Sequence, residues 1–148
     1  MIALLQRVSS AQVVVDGGVI ADITQGVLAF IGVEHSDSEQ QADRLLERIL
    51  GYRLFSDDQG RMNLSVRDVG GSLLLVPQFT LAADTDKGMR PSFTPAASPM
   101  EGERLFSYLI QQARQGFGTI ATGQFGADMQ VSLINDGPVT FWLKVNPE

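Results

Sequence analysis

The sequence contains no cysteine and a single histidine, His35, among its 148 residues. The lack of cysteine excludes disulfide bonds, thiolate metal ligands and a cysteine nucleophile. One imidazole leaves no second histidine for a metal centre or for paired acid–base chemistry. No apolar run reaches the ~20 residues of a membrane-spanning helix, and the N-terminal segment lacks a signal-peptide pattern. We therefore expect a cytoplasmic protein with no membrane contact, metal ion or other cofactor.

Basic residues are also scarce, because 11 Lys and Arg stand against 17 Asp and Glu, for a formal net charge of −6. Affinity for phosphates comes largely from Lys and Arg, so we expect no DNA partner. A small local patch that holds one end of an RNA is compatible with this charge. With 44% hydrophobic and 19% charged residues the chain is too apolar to be disordered. Its length predicts one domain over residues 1–148.

The pattern of apolar residues predicts an α+β domain. Strands are expected at 2–8 and 11–15, with a hairpin signal at Asp16-Gly17-Gly18. The apolar run 26–33 predicts a strand buried on both faces, and residues 61–81 predict further β structure.

Two helices are expected, each with a start signal. Ser36 and Glu39 have the spacing of a capping box before the first helix. Ser98 followed by Pro99 and Glu101 gives the same signal for the second helix, with Pro at the first helical position. The apolar residues at helical spacing are Ala42, Leu45, Leu46, Ile49 and Leu50, then Leu105, Phe106, Leu109, Ile110 and Ala113.

The remaining segments predict a long loop and a C-terminal pair of strands. Residues 82–97 are rich in Asp, Gly, Pro, Ser and Thr, and loops of this length are usually functional or disordered. Residues 129–134 alternate in polarity, Asn135–Pro138 predicts a turn, and 139–145 predicts a further strand.

The common catalytic motifs are missing. His35 is the only possible base for a Ser-His-Asp triad, and its position between a strand and a helix is typical of a solvated loop residue. There is no nucleophile elbow, no P-loop and no H-E-x-x-H motif. Asp57 and Asp58 precede Gln59-Gly60 and fit turn chemistry. No single motif therefore assigns a function.

Six blocks, in this order and spacing, together resemble the bacterial D-aminoacyl-tRNA deacylase family, also called D-tyrosyl-tRNA deacylase. The resemblance implies an α+β homodimer whose β-barrel-like core of mostly antiparallel strands is flanked by two helices. It implies an RNA-binding hydrolase that cleaves D-amino acids, or mischarged glycine, from the 3′ end of tRNA, as chiral proofreading in translation quality control. The blocks are Gln6–Val8, Met62–Val66, Gln78–Leu81, Arg90–Phe93, Thr122–Met129 and Asn135–Thr140.

The resemblance also implies site residues. Gly137-Pro138 would be a cis dipeptide that enters the active site of the other subunit, where its carbonyl oxygens accept hydrogen bonds from the substrate ammonium. An L-side chain would strike this backbone, whereas D-side chains would point outward and be broadly tolerated. Catalytic roles fall on Gln78, Phe79 and Thr80, and further substrate contacts fall on Arg7, Phe125 and Met129.

The chemical step has two possible forms. Thr80 could act as a nucleophile, but nothing in the sequence supplies its base. Alternatively, backbone N–H groups around Phe79 and Thr80 form an oxyanion hole while the ribose 2′-hydroxyl assists water, and we favour this form. A general esterase using Thr80, or a non-catalytic module that binds a ligand or protein, are the rival functions.

The sequence departs from the family at Pro77, where the usual block begins with serine. This replacement removes both a hydroxyl and a backbone N–H. The role of that serine side chain therefore does not carry over to this chain, while Gln78, Phe79 and Thr80 match the block.

Overall fold

The computed structural model describes residues 1–148 and contains eight strands, two α-helices and one 3₁₀ turn. The predicted strands 2–8 and 11–15 form one continuous strand. In chain order the elements are β1 (Ile2–Val15), β2 (Gly18–Ile23), β3 (Gly26–Gly32), α1 (Glu39–Gly51), β4 (Phe55–Ser56), β5 (Met62–Leu64), β6 (Ser72–Pro77), the 3₁₀ turn (Phe79–Ala82), α2 (Pro99–Gly116), β7 (Ile120–Thr122) and β8 (Gln130–Lys144).

Strand β1 organises the main sheet. One of its edges pairs with β8 over nearly its whole length, and the other edge pairs first with β3 and then with β2, all antiparallel. Strand β6 pairs in parallel with β3, and β7 pairs in parallel with β6. Since β2 also lies against β6 and β7, the sheet curls into a nearly closed barrel. The predicted α+β, barrel-like core is confirmed, with parallel pairs added to its antiparallel ones.

Alternating side chains on the strands build two hydrophobic clusters, because successive residues point to opposite faces. Ala3 and Leu5 of β1 face the helices, together with Leu73 of β6. Val8 and Leu74 fill the interior of the barrel. The helices therefore pack against the outer face of the sheet, and its inner face surrounds the second cluster inside the barrel. Neither helix is long and apolar enough to cross a lipid bilayer.

Helix α1 begins later than the sequence predicted. Its N-cap is Ser38, whose backbone N–H donates to the Gln41 side chain at 2.7 Å. The preceding Asp37 is buried, and its carboxylate accepts hydrogen bonds from the Met1 ammonium and the Glu34 N–H, both at 2.7 Å. The prediction of a cap at Ser36 was wrong because the chain is still turning around Asp37 at that point.

Helix α2 begins as predicted, with Ser98 Oγ accepting from the Glu101 N–H at 3.3 Å and Pro99 at the first helical position. The other half of the predicted capping box is absent. The Glu101 carboxylate instead binds Arg104, whose hydrogen bonds lower the pKa of Glu101. Arg104 also reaches Glu39 of α1 at 3.0 Å, which links the two helices on their exposed side.

Two further local predictions were wrong. Asn135–Pro138 is not a turn between two strands, because β8 runs antiparallel to β1 on both sides of it. Val8 pairs with Asn135 and Gln6 with Thr140, so three residues of β1 face six of β8 and the excess bulges out of the sheet. The end of the predicted β segment 61–81 is the 3₁₀ turn Phe79–Ala82 rather than a strand.

Candidate active site

A pocket of about 500 Å³ lies where the parallel strands β3 and β6 end. Carboxyl ends of parallel strands meet at one edge of a sheet, which leaves a crevice beyond them. Asp128 is the only charged residue that lines the pocket, and most of its wall is apolar. The lining residues used below are Pro77, Gln78, Phe79, Gly102, Phe125 and Met129.

The chain leaves β6 at Pro77 and turns sharply into the pocket wall. The Gln78 N–H still donates to the Ile31 carbonyl at 2.8 Å, and the 3₁₀ turn starts at the next residue. The first N–H groups of a helical turn have no acceptor within it. The turn therefore presents the backbone N–H groups of Phe79 and Thr80, with the Phe79 side chain 60% exposed beside them.

Thr80 lies next to the pocket without lining it. Its hydroxyl oxygen accepts a short hydrogen bond from the Gln78 side-chain amide. An amide is not a base at neutral pH, and no carboxylate or imidazole contacts this hydroxyl. The structure thus supplies no group that could take a proton from Thr80.

Two glycines allow the walls of the pocket to pack closely. A Cβ at Gly123 would lie 2.9 Å from Met129 Sδ and 3.2 Å from Pro77 Cδ. A Cβ at Gly102, in the first turns of α2, would lie 3.3 Å from the Phe125 ring. The shape of the pocket therefore depends on the absence of side chains at these two positions. Neither glycine was among the predicted site residues, although a glycine early in a well-formed helix is a signal visible in the sequence.

The segment around Gly137-Pro138 lies at a different place, in the bulge of β8. The Gly137–Pro138 peptide bond is cis, as the resemblance implied, and Gly137 has a φ of 139°. Arg7 holds this segment: its Nε donates to the Asp136 carbonyl at 2.9 Å, and its Nη1 donates to the Leu54 carbonyl at 2.8 Å. The Arg7 side chain is only 13% exposed, so it acts as an internal strut.

A small polar network shapes the same bulge. Asn135 donates from its side chain to the Thr140 hydroxyl at 3.0 Å and accepts from the Val139 N–H at 3.1 Å. Gln6 on the neighbouring strand donates to the same hydroxyl at 3.3 Å. These bonds fix both ends of the bulge, so Gly137-Pro138 is a positioned projection rather than a loose loop.

The predicted site residues fall into two groups within one copy of the chain. Gln78, Phe79, Phe125 and Met129 line the pocket, and Thr80 adjoins it. Arg7, Gly137 and Pro138 form the second group at the bulge.

Strand register separates these two groups. Arg7 pairs with Val27 of β3, whereas Pro77 pairs with Ile31 of the same strand. These positions are about 13 Å apart along the strands and about 10 Å apart across them. One copy therefore does not bring Gly137-Pro138 to its own pocket.

The fold matches the folds of solved structures. One, titled "Structural Analysis of a probable eukaryotic D-amino acid tRNA deacylase", aligns with a TM-score of 0.84 over 97% of this chain and 98% of that chain, at 15% identity, which shows the fold alone. Another, titled "c-Myc DNA Unwinding Element Binding Protein", aligns with a TM-score of 0.94 over 99% of this chain and 100% of that chain, at 35% identity. These two alignments thus define the fold class of this chain.

Sequence similarity then gives the family. Residues 4–144 match the family described as D-Tyr-tRNA(Tyr) deacylase. The D-aminoacyl-tRNA deacylase of Thioalkalivibrio sulfidiphilus is 66% identical, covering 99% of this chain and 99% of the relative. That of Escherichia coli O1:K1 is 59% identical, covering 98% of this chain and 100% of the relative. The chain belongs to the D-Tyr-tRNA(Tyr) deacylase family, and the predictions of the family and of a hydrolase are confirmed.

Proposed function

We propose that this enzyme hydrolyses the ester between a D-amino acid and the 3′-terminal adenosine of tRNA, and the equivalent ester of mischarged glycine, while sparing L-amino acids. It would thereby proofread chirality during translation in the cytoplasm. The observation that carries this proposal is the separation of the pocket from the Gly137-Pro138 projection. A projection that is held in place but lies apart from its own pocket is suited to the pocket of a second copy.

The surface around the projection supports a homodimer. Strand β8 pairs with β1 along one edge and has no partner on its other edge. Ile134 and Trp142 of this strand are 60% and 57% exposed, and they lie on either side of Gly137-Pro138. Long unpaired edges with apolar side chains are normally covered in stable proteins. Covering this edge with a second copy would place Gly137-Pro138 at the interface between the two copies.

Chiral selection would come from backbone rather than from side chains. The carbonyl oxygens of Gly137 and Pro138 accept hydrogen bonds from the α-ammonium of the substrate, and charge assistance strengthens such bonds. With the ammonium and the ester carbonyl both held, an L-side chain is directed into the Gly-Pro backbone and is rejected. Glycine and D-side chains escape this contact. Arg7 serves the substrate indirectly, by holding the backbone of the projection in place.

The pocket itself suits the terminal adenine. The base is flat and uncharged, and it would pack between Phe125 and Met129, which line the pocket. The carboxylate of Asp128 would accept a hydrogen bond from the exocyclic amine. Because the pocket is then occupied by the nucleoside, the amino-acid side chain extends outward, and we expect broad tolerance of D-side chains.

For the chemical step, the arrangement favours an oxyanion hole. The N–H groups of Phe79 and Thr80 would stabilise the negative charge that develops on the ester carbonyl, and each such donor is typically worth about 10²–10³ in rate. The ribose 2′-hydroxyl would assist the attacking water. A nucleophilic Thr80 is disfavoured because its only side-chain partner is the Gln78 amide. A general esterase based on Thr80 is disfavoured for the same reason.

The acidic charge of the chain fits a protein that touches only one end of its RNA. Lys87 and Arg90 lie in the exposed loop beside the pocket, and neither forms an ion pair, which leaves them available to phosphates of the acceptor stem. Each phosphate contact adds about 0.7–0.9 to the slope of log K against log salt. We therefore expect a shallow slope, smaller in magnitude than about 4.

Side-by-side deacylation of D-Tyr-tRNA and L-Tyr-tRNA at nanomolar enzyme tests the proposal. We expect rapid loss of the D-ester with the L-ester spared, which would also show that Pro77 is tolerated in place of serine. Cleavage of both esters at similar rates would instead indicate a general esterase. Cleavage of neither by a folded dimer would indicate a non-catalytic binding module.

A further inference from the structure

An exposed aromatic pair stands at the mouth of the pocket. The rings of Phe79 and Phe93 have centroids 5.3 Å apart and planes inclined at 49°. They are 60% and 44% exposed, which is unusual for large apolar side chains in mutual contact. Phe79 also lines the pocket, whereas Phe93 lies outside the lining. The pair therefore extends the apolar wall of the pocket outward onto the surface.

The segment that carries Phe93 is held at both ends. Before it, Ser92 and Asp84 exchange backbone hydrogen bonds of 2.9 and 2.7 Å across the base of the loop. After it, the His35 N–H donates to the Pro95 carbonyl at 3.0 Å, and the Ala97 N–H donates to the Val33 carbonyl at 2.9 Å. Phe93 is thus presented on a fixed strap rather than on a flexible loop.

Two positively charged side chains in the loop that carries Phe93 are suited to bind a polyanion. Lys87 and Arg90 are exposed in the tip of the same loop and have no ion-pair partner. Two acids, Asp84 and Asp86, are also present, and the Asp84 carboxylate accepts the N–H of Asp86 at 2.9 Å within the loop. Exposed aromatic rings next to free cations are the usual surface for single-stranded nucleic acid.

We propose that Phe79 and Phe93 form a stacking platform for the unpaired base that immediately precedes the terminal adenosine of the substrate. The inference rests on the proposed function, because it assumes that the adenosine occupies the pocket. With the last nucleoside in the pocket, an RNA strand that leaves past Phe79 would place the preceding base against the ring of Phe93, which contacts Phe79. Lys87 and Arg90 are exposed in the same loop as Phe93, where they would meet the next phosphates.

The test compares two small substrates that differ only in the preceding nucleotides: the D-tyrosyl ester of adenosine and the D-tyrosyl ester of the trinucleotide CCA. Base–aromatic stacking is worth about 1–3 kcal/mol by alanine substitution, or roughly 5- to 150-fold. We therefore expect Phe93→Ala to lower kcat/KM for the CCA ester by that factor and to leave the adenosine ester unchanged. Phe93→Trp keeps a stacking face and should retain the wild-type preference for CCA. Met89→Ala, at a fully exposed apolar residue in the same loop, is the matched control and should alter kcat/KM for neither ester.

The possible outcomes distinguish failure of the proposed function from failure of the stacking platform. If wild-type enzyme cleaves neither ester nor D-Tyr-tRNA, the proposed function fails. Two other results would overturn the stacking platform while the deacylase activity stands. In one, the wild-type enzyme cleaves D-Tyr-tRNA and yet has the same kcat/KM for the CCA ester as for the adenosine ester. In the other, Phe93→Ala lowers kcat/KM equally for both esters. Equal thermal stability of the Phe93→Ala and wild-type proteins checks that the variant is folded.

Discussion

The pocket and the Gly137-Pro138 projection are built by opposite means. The pocket is shaped by apolar contacts, with Phe125 and Met129 packed against glycines of their own chain. The projection is exposed and depends on hydrogen bonds, chiefly those of Arg7 and Asn135. One copy of the chain forms the whole pocket, but it does not bring the Gly137-Pro138 projection to that pocket. If the proposed function holds, binding of the nucleoside is a property of the single chain, whereas chiral selection is a property of the pair.

The largest expected effect comes from removing the strut of the projection. Arg7→Ala deletes the donors to the Asp136 and Leu54 carbonyls and frees the backbone of Gly137. A displacement of about 1 Å at such a site can lower the rate roughly 10²-fold, so we expect a loss of that size in kcat/KM for D-Tyr-tRNA. Steady-state kinetics would show the loss, while binding of adenosine to the distant pocket should be unchanged.

Mixing two inactive variants tests whether the projection acts on the partner copy. Arg7→Ala keeps an intact pocket, and Met129→Trp keeps an intact projection but fills the pocket. Random assembly of equal amounts would give one working site in each mixed dimer, or about a quarter of wild-type activity. No recovery in mixed dimers, confirmed as such by mass spectrometry, would mean that the projection does not work in the partner's pocket.

A smaller effect is expected at the pocket wall. Gly123→Ala places a methyl group 2.9 Å from Met129 Sδ and 3.2 Å from Pro77 Cδ. Overpacking of this kind typically costs about 1–3 kcal/mol of stability and here would push Met129 into the pocket. We expect a lower melting temperature and a raised KM, with selection for D over L esters retained. Gly51→Ala, where a Cβ meets nothing within 4 Å, is the matched control. Loss of D-selectivity in Gly123→Ala would show that the two regions are not separate.

The smallest effect is expected at Thr80. Thr80→Ala removes a hydroxyl whose one side-chain partner is Gln78, and the backbone N–H groups of the turn remain. Loss of one such hydrogen bond is worth about 0.5–1.5 kcal/mol, so kcat should fall by less than roughly tenfold. Complete loss of activity in a folded variant that still binds tRNA would support a nucleophilic Thr80 instead.

Features set by neighbouring residues could be predicted from the sequence, and features set by distant residues could not. The start of α2 was predictable because Ser98 and Glu101 bond across three residues. The start of α1 was not, since Asp37 bonds the ammonium of Met1, 36 residues away. Asn135–Pro138 has the composition of a turn, but pairing with β1 keeps β8 running in one direction.

The same distinction holds for the site. The resemblance named the residues, because motif blocks can be seen in the sequence itself. It could not show that Arg7 serves as a strut, since its acceptor on Asp136 is 129 residues away. Nor could it show that Gly102 and Gly123 shape the pocket, because their neighbours meet them only in the folded chain.

The pairing of β1 with β8 has a consequence for how the chain acquires its structure. Ile2 pairs with Lys144 and Val14 with Gln130, so one of the longest ladders of the sheet joins the first strand to the last. Contacts of such high sequence separation slow folding, because the loop entropy is lost before the ladder forms. During synthesis, β1 must wait with that edge unpaired until β8 has left the ribosome. An unpaired edge is prone to aggregation, so this interval is where a nascent chain most needs protection.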